Sequence, residues 1–232
     1  MVDATPDFGR QLWALQHLGG GAGRNDRPLV LGGILLTHAH TGHYIGLLQL
    51  GKEAADAKRV PVYCSPSMAS FLRNNEPWAQ LCTRGNISIR EVEPNTGGSK
   101  HAITRLTARV SFEAVSVPHR AELSDTVAFV IELKKDVATV GNVDSSVSNQ
   151  ASQRIPATEG EGDGAHRWHT TDGCGDRGQK VGLRLLYCPD ADTWSGWQKG
   201  INQWCDEVDA ALLDATFYDR GELKGRDMRE AS

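Results

Sequence analysis

The sequence predicts a sheet-rich α/β domain with helices on the outside, and three observations support this prediction. Short apolar segments recur along the chain at the length of β-strands. Segments of helical periodicity lie between several of these strands. The 232 residues are enough to bury one sizeable core, so we expect a single domain spanning residues 1–232.

The predicted strands and helices follow one another along most of the chain. Strands are predicted over residues 29–36, 60–64, 87–92, 105–117, 126–133, 181–188 and 208–213. The segment 105–117 changes its apolar face part-way, which predicts strands joined by a bend or bulge. Helices are predicted over residues 44–57, across 67–81 with a break at Pro77, and in a segment with four apolar positions, Trp194, Trp197, Ile201 and Trp204.

One segment interrupts this order, and we interpret residues 145–178 as a surface insertion. The segment is rich in Ser, Gly, Gln, Thr and Asp and contains almost no large aliphatic side chains. Such a composition cannot bury enough apolar area to offset the entropy of ordering the backbone. Its His166, His169 and Cys174 therefore favour exposed positions over a second metal cluster. The glycine-rich stretch 19–23 lacks the Gly-Lys-Ser/Thr ending of a phosphate loop and favours a turn.

Composition excludes several classes of function. The chain has 25 Lys and Arg against 29 Asp and Glu, a formal net charge of −4, which argues against a general nucleic-acid or anionic-membrane surface. No apolar run has the length of a membrane span, and the N-terminal residues lack a signal-peptide pattern, so we expect a cytoplasmic protein. The five cysteines are scattered and form no C-x-x-C pair, which favours reduced packing residues. The partner we expect is a small-molecule substrate, and a homo-oligomer is compatible with the sequence.

The strongest chemical signal is a cluster of three histidines after a predicted strand. His38, His40 and His43 follow an apolar run directly. His38 and His40 can project to the same side because strand side chains alternate, and His43 enters as the chain turns into the next helix. One ion could contact all three, since imidazole is the commonest nitrogen ligand for zinc or ferrous iron. The alternative is a polar loop, but three of eight histidines in one hexapeptide make chance a poor explanation.

Two further residues follow predicted strands at a distance in sequence. His119 comes after the strand segment that ends at residue 117, and Asp190 comes after the segment 181–188. Taken alone, His119 could cap a turn and Asp190 could begin a helix. Together with the histidine cluster, they predict a metal site assembled along one edge of a β-sandwich.

These residues resemble the metallo-β-lactamase fold, whose signature is His-x-His-x-Asp-His followed by a separate His, an Asp and a last His. Four segments look like the branch that contains coenzyme PQQ biosynthesis protein B, namely residues 3–8, 36–40, 118–127 and 213–217. The resemblance implies a four-layer αββα sandwich with metals at one edge. It also implies that His38, His40 and His119 bind the first metal, that Asp190 bridges to a second, and that His43 is a ligand of the second metal.

The chain departs from this signature at three places. Gly42 stands where the family has the Asp that binds the second metal and orients the attacking water. No histidine follows His169, so the last motif histidine is absent, and Met1 lies next to the first predicted strand end. From these departures we expect a chain shortened at both ends relative to its relatives, with one tightly bound ion and a weak second site.

Three functions remain open at this stage. The first is a metal-dependent hydrolase of a small ester, lactone or phosphoester, in which the metal activates a water. Asp190 would then complete the ligand shell or orient that water, and His43 would bind a second ion or assist proton transfer, so these two are the catalytic candidates. Zn²⁺ is the expected ion, with Fe²⁺ or Mn²⁺ as alternatives. The second function is an oxygenase using non-haem iron, as in PQQ biosynthesis, and the third is a non-catalytic metal-binding protein. Asp125 and Asp214 are candidates for fixing the imidazole tautomers.

Overall fold

The computed structural model describes residues 1–18, 31–96, 102–134, 182–192, 197 and 200–214. The predicted insertion at 145–178 and the glycine-rich stretch 19–23 lie outside these described residues. So do His166, His169, Cys174 and Trp194, and residues 29 and 30 of the strand predicted over 29–36, of which only Ile34–Leu35 forms a strand among the described residues.

The described residues contain short helices and eight strands, in an order close to the predicted one. In chain order these are α1 Phe8–Leu18, β1 Ile34–Leu35, α2 Thr41–Tyr44, a 3₁₀ helix Ile45–Leu50, β2 Val60–Cys64, α3 Pro66–Asn74, α4 Trp78–Thr83, β3 Ile87–Glu91, β4 Thr104–Arg105, β5 Val110–Ser116, β6 Val127–Lys134, β7 Gly182–Cys188, α5 Ile201–Glu207 and β8 Ala210–Leu213. The predicted break at Pro77 is confirmed, because α3 ends at Asn74 and α4 begins at Trp78.

The strands form two sheets. The first, which we call the parallel sheet, has the order β1-β2-β3 with all pairs parallel. Val2 pairs in parallel with Leu35, so the N-terminal segment lies alongside β1. The second, which we call the mixed sheet, has the order β4-β5-β6-β7-β8, in which β8 is parallel to β7 and the other pairs are antiparallel.

The two sheets pack face to face between outer helices, which gives the αββα sandwich that the sequence predicts. Leu35 of the parallel sheet shares one apolar cluster with Phe112 and Phe129 of the mixed sheet. The other face of the parallel sheet packs with Phe8 of α1 and with the buried side chains of α3. The other face of the mixed sheet packs with Trp204 of α5. Burial of these apolar faces is the main stabilising contribution to the fold.

Strand β5 explains the change of face seen in the sequence. Phe112 and Ala114 lie in the cluster between the sheets, whereas Val115 lies in the cluster under α5. Both faces of β5 are therefore buried, and the strand runs without a break through Val115. The interruption lies earlier, between β4 and β5, which pair as antiparallel neighbours. The bend predicted at this change of face was therefore wrong: β5 is one continuous strand, and β4 overlaps the predicted range only at Arg105.

The helix predicted over residues 44–57 is much shorter in the structure. It consists of α2 and the 3₁₀ helix, and it ends at Leu50. Gly46 approaches the N-terminal segment closely: its N–H donates to the Ala4 carbonyl at 2.8 Å, and a Cβ on Gly46 would lie 2.3 Å from the Thr5 carbonyl oxygen. The segment therefore follows the path set by its tertiary contacts. Leu47 and Leu50 are fully buried, which accounts for the helical pattern in the sequence.

Two further expectations concern the cysteines and the membrane. The four described cysteines are free, and burial raises the pKa of the Cys64 and Cys188 thiols to about 12, so both stay protonated at neutral pH. Within the described part of the chain, no helix is long and apolar enough to cross a bilayer.

Candidate metal centre

The predicted ligands lie at one edge of the sandwich, where strands from both sheets end. His38 and His40 follow β1 of the parallel sheet. His119 follows β5 and Asp190 follows β7 of the mixed sheet. Since β5 and β7 are both antiparallel to β6, their C-terminal ends lie at the same edge. The topology therefore brings together residues that are up to 152 positions apart in the chain.

Four of these side chains converge closely enough to hold one ion. His38 Nε2 lies 2.8 Å from His40 Nδ1 and 3.2 Å from Asp190 Oδ2. His119 Nε2 lies 3.2 Å from His40 Nδ1. One ligand atom from each of the four residues falls within 4.8 Å of all the others. Their donor set, three imidazole nitrogens and one carboxylate oxygen, suits zinc and other divalent transition-metal ions.

Hydrogen bonds on the outer side of two imidazoles favour the tautomers that a metal requires. His119 Nδ1 lies 2.8 Å from Asp192 Oδ1, and His40 Nε2 lies 3.2 Å from Glu122 Oε2. A carboxylate only accepts hydrogen bonds, so each of these nitrogens carries the proton and donates. The converging atoms, His119 Nε2 and His40 Nδ1, are then left with lone pairs that can bind a cation.

The orientation of His38 depends on a buried carboxylate further away. The Thr37 hydroxyl donates to Asp3 at 3.1 Å, so its oxygen accepts from His38 Nδ1 at 2.9 Å. These two hydrogen bonds leave His38 Nε2 without a proton and directed at the other predicted ligands. Asp3 also accepts from the Thr37 backbone N–H at 2.9 Å, and its side chain is only 1% exposed.

His43 lies beside the cluster and contacts two carboxylates. Its Nδ1 lies 2.8 Å from Asp3 Oδ2, and its Nε2 lies 2.8 Å from Asp190 Oδ2. His43 is therefore outside the group of four converging ligands, although it shares Asp190 with them. Its roles as a second-metal ligand and in catalysis stay predictions, as do the roles of the other ligands.

Burial and charge shift three pKa values at the site of the metal-free protein. Burial lowers the pKa of His38, which keeps its imidazole neutral and able to bind a cation. Burial also acts to lower the pKa of His43, but its hydrogen bonds with Asp190 and Asp3 outweigh this effect and raise it to about 9. For Asp190, burial acts to raise the pKa, yet its contacts with the imidazoles of His38 and His43 hold it well below its usual value.

Hydrogen bonds from segments next to the mixed sheet position the backbone of residues 37–40, which we call the histidine segment. The Ser124 hydroxyl accepts from the backbone N–H of Ala39, the residue between two predicted ligands, at 2.9 Å. The Val127 N–H donates to the Thr37 carbonyl at 3.1 Å, and the Asp192 N–H donates to the Pro118 carbonyl at 2.9 Å. These bonds connect the loops that carry the predicted ligands.

Sequence reasoning missed several residues of the site, and for two candidates that it left open, Asp125 and Asp214, the structure gives other hydrogen bonds. Besides Asp190, three carboxylates contact the imidazoles, and none of them was predicted in that role: Asp3, Asp192 and Glu122. The rule that found His119 could have found Asp3, because Asp3 also follows a segment that pairs with a strand at this edge. Asp125 instead accepts hydrogen bonds from the hydroxyls of two serines, Ser65 and Ser67, and Asp214 accepts from the Ala191 N–H at 3.5 Å.

Gly42, the residue in place of the motif Asp, lies in α2 and is exposed. A Cβ at this position would meet no atom within 4 Å. The glycine is therefore not required by packing, and a larger side chain can be accommodated there.

Comparison with known proteins agrees with this architecture. Residues 1–145, more than half of the chain, match the family described as Beta-lactamase superfamily domain. The chain belongs to this superfamily. The matched region contains His38, His40, His43 and His119 but ends before Asp190, so the placement of Asp190 at the centre rests on the structure.

Two further comparisons are less informative. A solved structure of MEM-A1, a subclass B3 metallo-β-lactamase isolated from a soil metagenome library, is 14% identical with a TM-score of 0.44. That alignment covers 100% of this chain and 74% of the enzyme. Among curated proteins, none matches the chain. The superfamily and the His/Asp cluster together indicate a protein that binds a divalent metal and that belongs among metal-dependent hydrolases.

Proposed function

We propose that this protein hydrolyses a small ester, lactone or phosphoester with one divalent ion, Zn²⁺, held by His38, His40, His119 and Asp190. The observation that carries the proposal is the convergence of one nitrogen from each of three imidazoles and one carboxylate oxygen within 4.8 Å. Each imidazole is oriented by an acceptor on its other nitrogen, Thr37 for His38, Glu122 for His40 and Asp192 for His119. When bound, the ion would lower the pKa of its water to about 7 and polarise the scissile bond.

The remaining residues of the site supply hydrogen bonds and a proton. Asp190 Oδ2 is one of the converging atoms, and its carboxylate would accept a hydrogen bond from the attacking water and orient it. His43 holds a proton on Nδ1 through its bond to Asp3, and its raised pKa keeps a second proton on Nε2 near neutral pH. We propose that His43 donates this proton to the leaving group in the absence of a second ion.

The same donor set supports a second candidate, an oxygenase that uses ferrous iron. Three imidazoles and one carboxylate also suit non-haem iron. The four sequence segments that resemble the branch containing coenzyme PQQ biosynthesis protein B favour this candidate, and we propose that the chain belongs to that branch. Under either candidate the partner is a small molecule.

Metal analysis and turnover assays separate these candidates. The protein is purified without added metal, its metal content is measured, and it is assayed on panels of esters, lactones and phosphoesters and for oxygen consumption. We expect zinc and hydrolysis, with both reduced in His119→Ala. Iron with oxygen consumption would replace the hydrolase by the oxygenase. Full metal occupancy without any turnover would support a non-catalytic metal-binding protein.

A further inference from the structure

A buried donor beside the metal centre has no acceptor in the structure. Arg120 follows the predicted ligand His119, and its side chain is 28% exposed. Its Nε is buried, yet no hydrogen-bond acceptor reaches it among the described residues. A buried donor without a partner is rare because its desolvation is not compensated, so it calls for an explanation.

The carboxylate nearest to this donor, Glu122, accepts a hydrogen bond from a histidine instead. Glu122 Oε1 lies 4.0 Å from Arg120 Nε, beyond hydrogen-bond range, while Glu122 Oε2 accepts from His40 Nε2 at 3.2 Å. Glu122 thus links the guanidinium to a predicted metal ligand, His40, without accepting a hydrogen bond from Arg120 Nε. An arginine presents its N–H groups as a planar fork that fits a carboxylate or a phosphate with two parallel bonds.

From this arrangement, and resting on the proposed hydrolase function, we propose that Arg120 binds an anionic group of the substrate. The group is an oxyanion, a carboxylate or a phosphate, and it lies several bonds from the ester or phosphoester that reacts at the metal. The substrate would therefore be a molecule with one reactive group and one spectator anion. Arg120 would select it from neutral molecules of the same size.

Binding of thiols to the cobalt-substituted protein tests this proposal without requiring turnover. A thiolate that binds Co²⁺ changes its visible spectrum, so affinities follow from titration. The probes are 3-mercaptopropanoate, 2-mercaptoethylphosphonate and the neutral 3-mercapto-1-propanol. We expect at least one anionic thiol to bind roughly tenfold or more tightly than the neutral thiol, the ratio that one charge-assisted hydrogen bond supplies. The anionic thiol that binds more tightly identifies the oxyanion.

Variants separate Arg120 from the general attraction of the metal for anions. Arg120→Gln should bind the neutral thiol like the unaltered protein and lose the preference for the anion. Arg120→Lys should keep part of the preference, because it retains the charge but lacks the fork. Leu123→Ala, an exposed residue of the same loop, is the matched control and should change neither affinity.

The possible failures are distinguishable. Equal affinities for anionic and neutral thiols, or a preference that persists in Arg120→Gln, would overturn the role of Arg120 while leaving the metal centre in place. Failure of the unaltered protein to bind cobalt would overturn the proposed function and, with it, this inference. Cobalt content is measured for every variant before titration, so that loss of the metal cannot be mistaken for loss of anion binding.

Discussion

At the scale of single residues, one buried carboxylate orients two histidines. Asp3 accepts from His43 directly and acts on His38 through the Thr37 hydroxyl. Its backbone lies in the left-handed region, with φ 54°, and its side chain is buried beside the predicted ligands. Removing its charge should therefore affect metal binding without removing any predicted metal ligand.

Asp3→Asn is the substitution that tests this role. Asparagine tolerates the left-handed backbone, so the fold should be retained. Its amide offers one acceptor oxygen where the carboxylate offers two, and it can also donate, which removes the preference for the His38 tautomer that binds a cation. We expect a loss of metal affinity of about 10- to 100-fold, measured by competition with a chelator. Circular dichroism provides the control for folding, and unchanged affinity in a folded variant would contradict the assignment.

We propose that Gly42 limits the number of tightly bound ions to one. Without a carboxylate at this position, the recognisable ligands of a second ion are His43 and Asp190, and divalent sites usually take three or four protein ligands. We therefore predict close to one tightly bound ion per chain after exhaustive dialysis, measured by elemental analysis. Gly42→Asp should raise the second occupancy, because nothing lies within 4 Å of the added Cβ. Gly42→Ala should not, and two firmly held ions in the unaltered protein would show this interpretation to be wrong.

The residues that could be predicted are those with a local signal. His38 and His40 stand in one short segment directly after an apolar strand, so their convergence follows from strand geometry. Glu122 carries no such signal, since its contact with His40 depends on which segments pair across the fold. Arg120 Nε could not be recognised as unsatisfied from the sequence, because its burial and the 4.0 Å gap to Glu122 exist only in three dimensions.

At the scale of elements, the segment that leads into β6 is hydrogen-bonded to the histidine segment and so connects it to the mixed sheet. Ser124 is 6% exposed; its hydroxyl accepts from the Ala39 N–H and donates to the Asp125 carbonyl at 2.9 Å. One serine thus holds the backbone between His38 and His40 and joins it to a strand of the other sheet.

Ser124→Ala should weaken this connection. The variant leaves the buried Ala39 N–H without its acceptor, which costs about 1–3 kcal/mol. We expect a lower free energy of unfolding in urea for the metal-free protein and a weaker affinity for metal. Ser124→Thr retains the hydroxyl and should recover part of both quantities. If Ser124→Ala matched the unaltered protein in both measurements, the positioning role would be excluded.

Strands could be predicted more reliably than the helix after the histidines. Strands β2, β3, β6 and β7 lie within a residue or two of the predicted ranges, because their apolar side chains have no competing pattern. The segment 44–57 has apolar side chains at helical spacing, yet Gly46 must approach the N-terminal segment, and this long-range contact shortens the helix. Local periodicity carries no information about such a contact.

At the scale of the whole molecule, the centre joins the two sheets. His38 and His40 come from the parallel sheet, whereas His119 and Asp190 come from the mixed sheet, so an ion bound by all four would link them. Anything that binds the folded state alone stabilises it by mass action. The sequence predicted this architecture from strand order and resemblance, but it could not give the separation of the ligand atoms.

Stability of the metal-free protein should depend on the ionisation of His43. Its pKa is raised from 6.5 to about 9 in the folded protein, so its contribution is complete below 6.5 and is lost as the pH rises through 9. The lowered pKa of Asp190 gives a contribution that is present above 3.8 and is lost as the pH falls below it. Urea unfolding at about pH 6 and about pH 10 should show a loss of up to about 3 kcal/mol. The loss should be smaller in His43→Gln; an equal loss in both would contradict the role of His43.

The metal content of the purified chain tests the central claim most directly. Elemental analysis is compared for the unaltered protein, for the double variant His38→Ala/His40→Ala and for the matched control His166→Ala/His169→Ala, which removes two histidines from the polar segment. Circular dichroism establishes that each is folded, which is expected because apolar burial in the sheets carries the stability. The account predicts about one ion per chain in the unaltered protein and in the control, and almost none in the double variant. Undiminished metal in a folded His38→Ala/His40→Ala protein would contradict it.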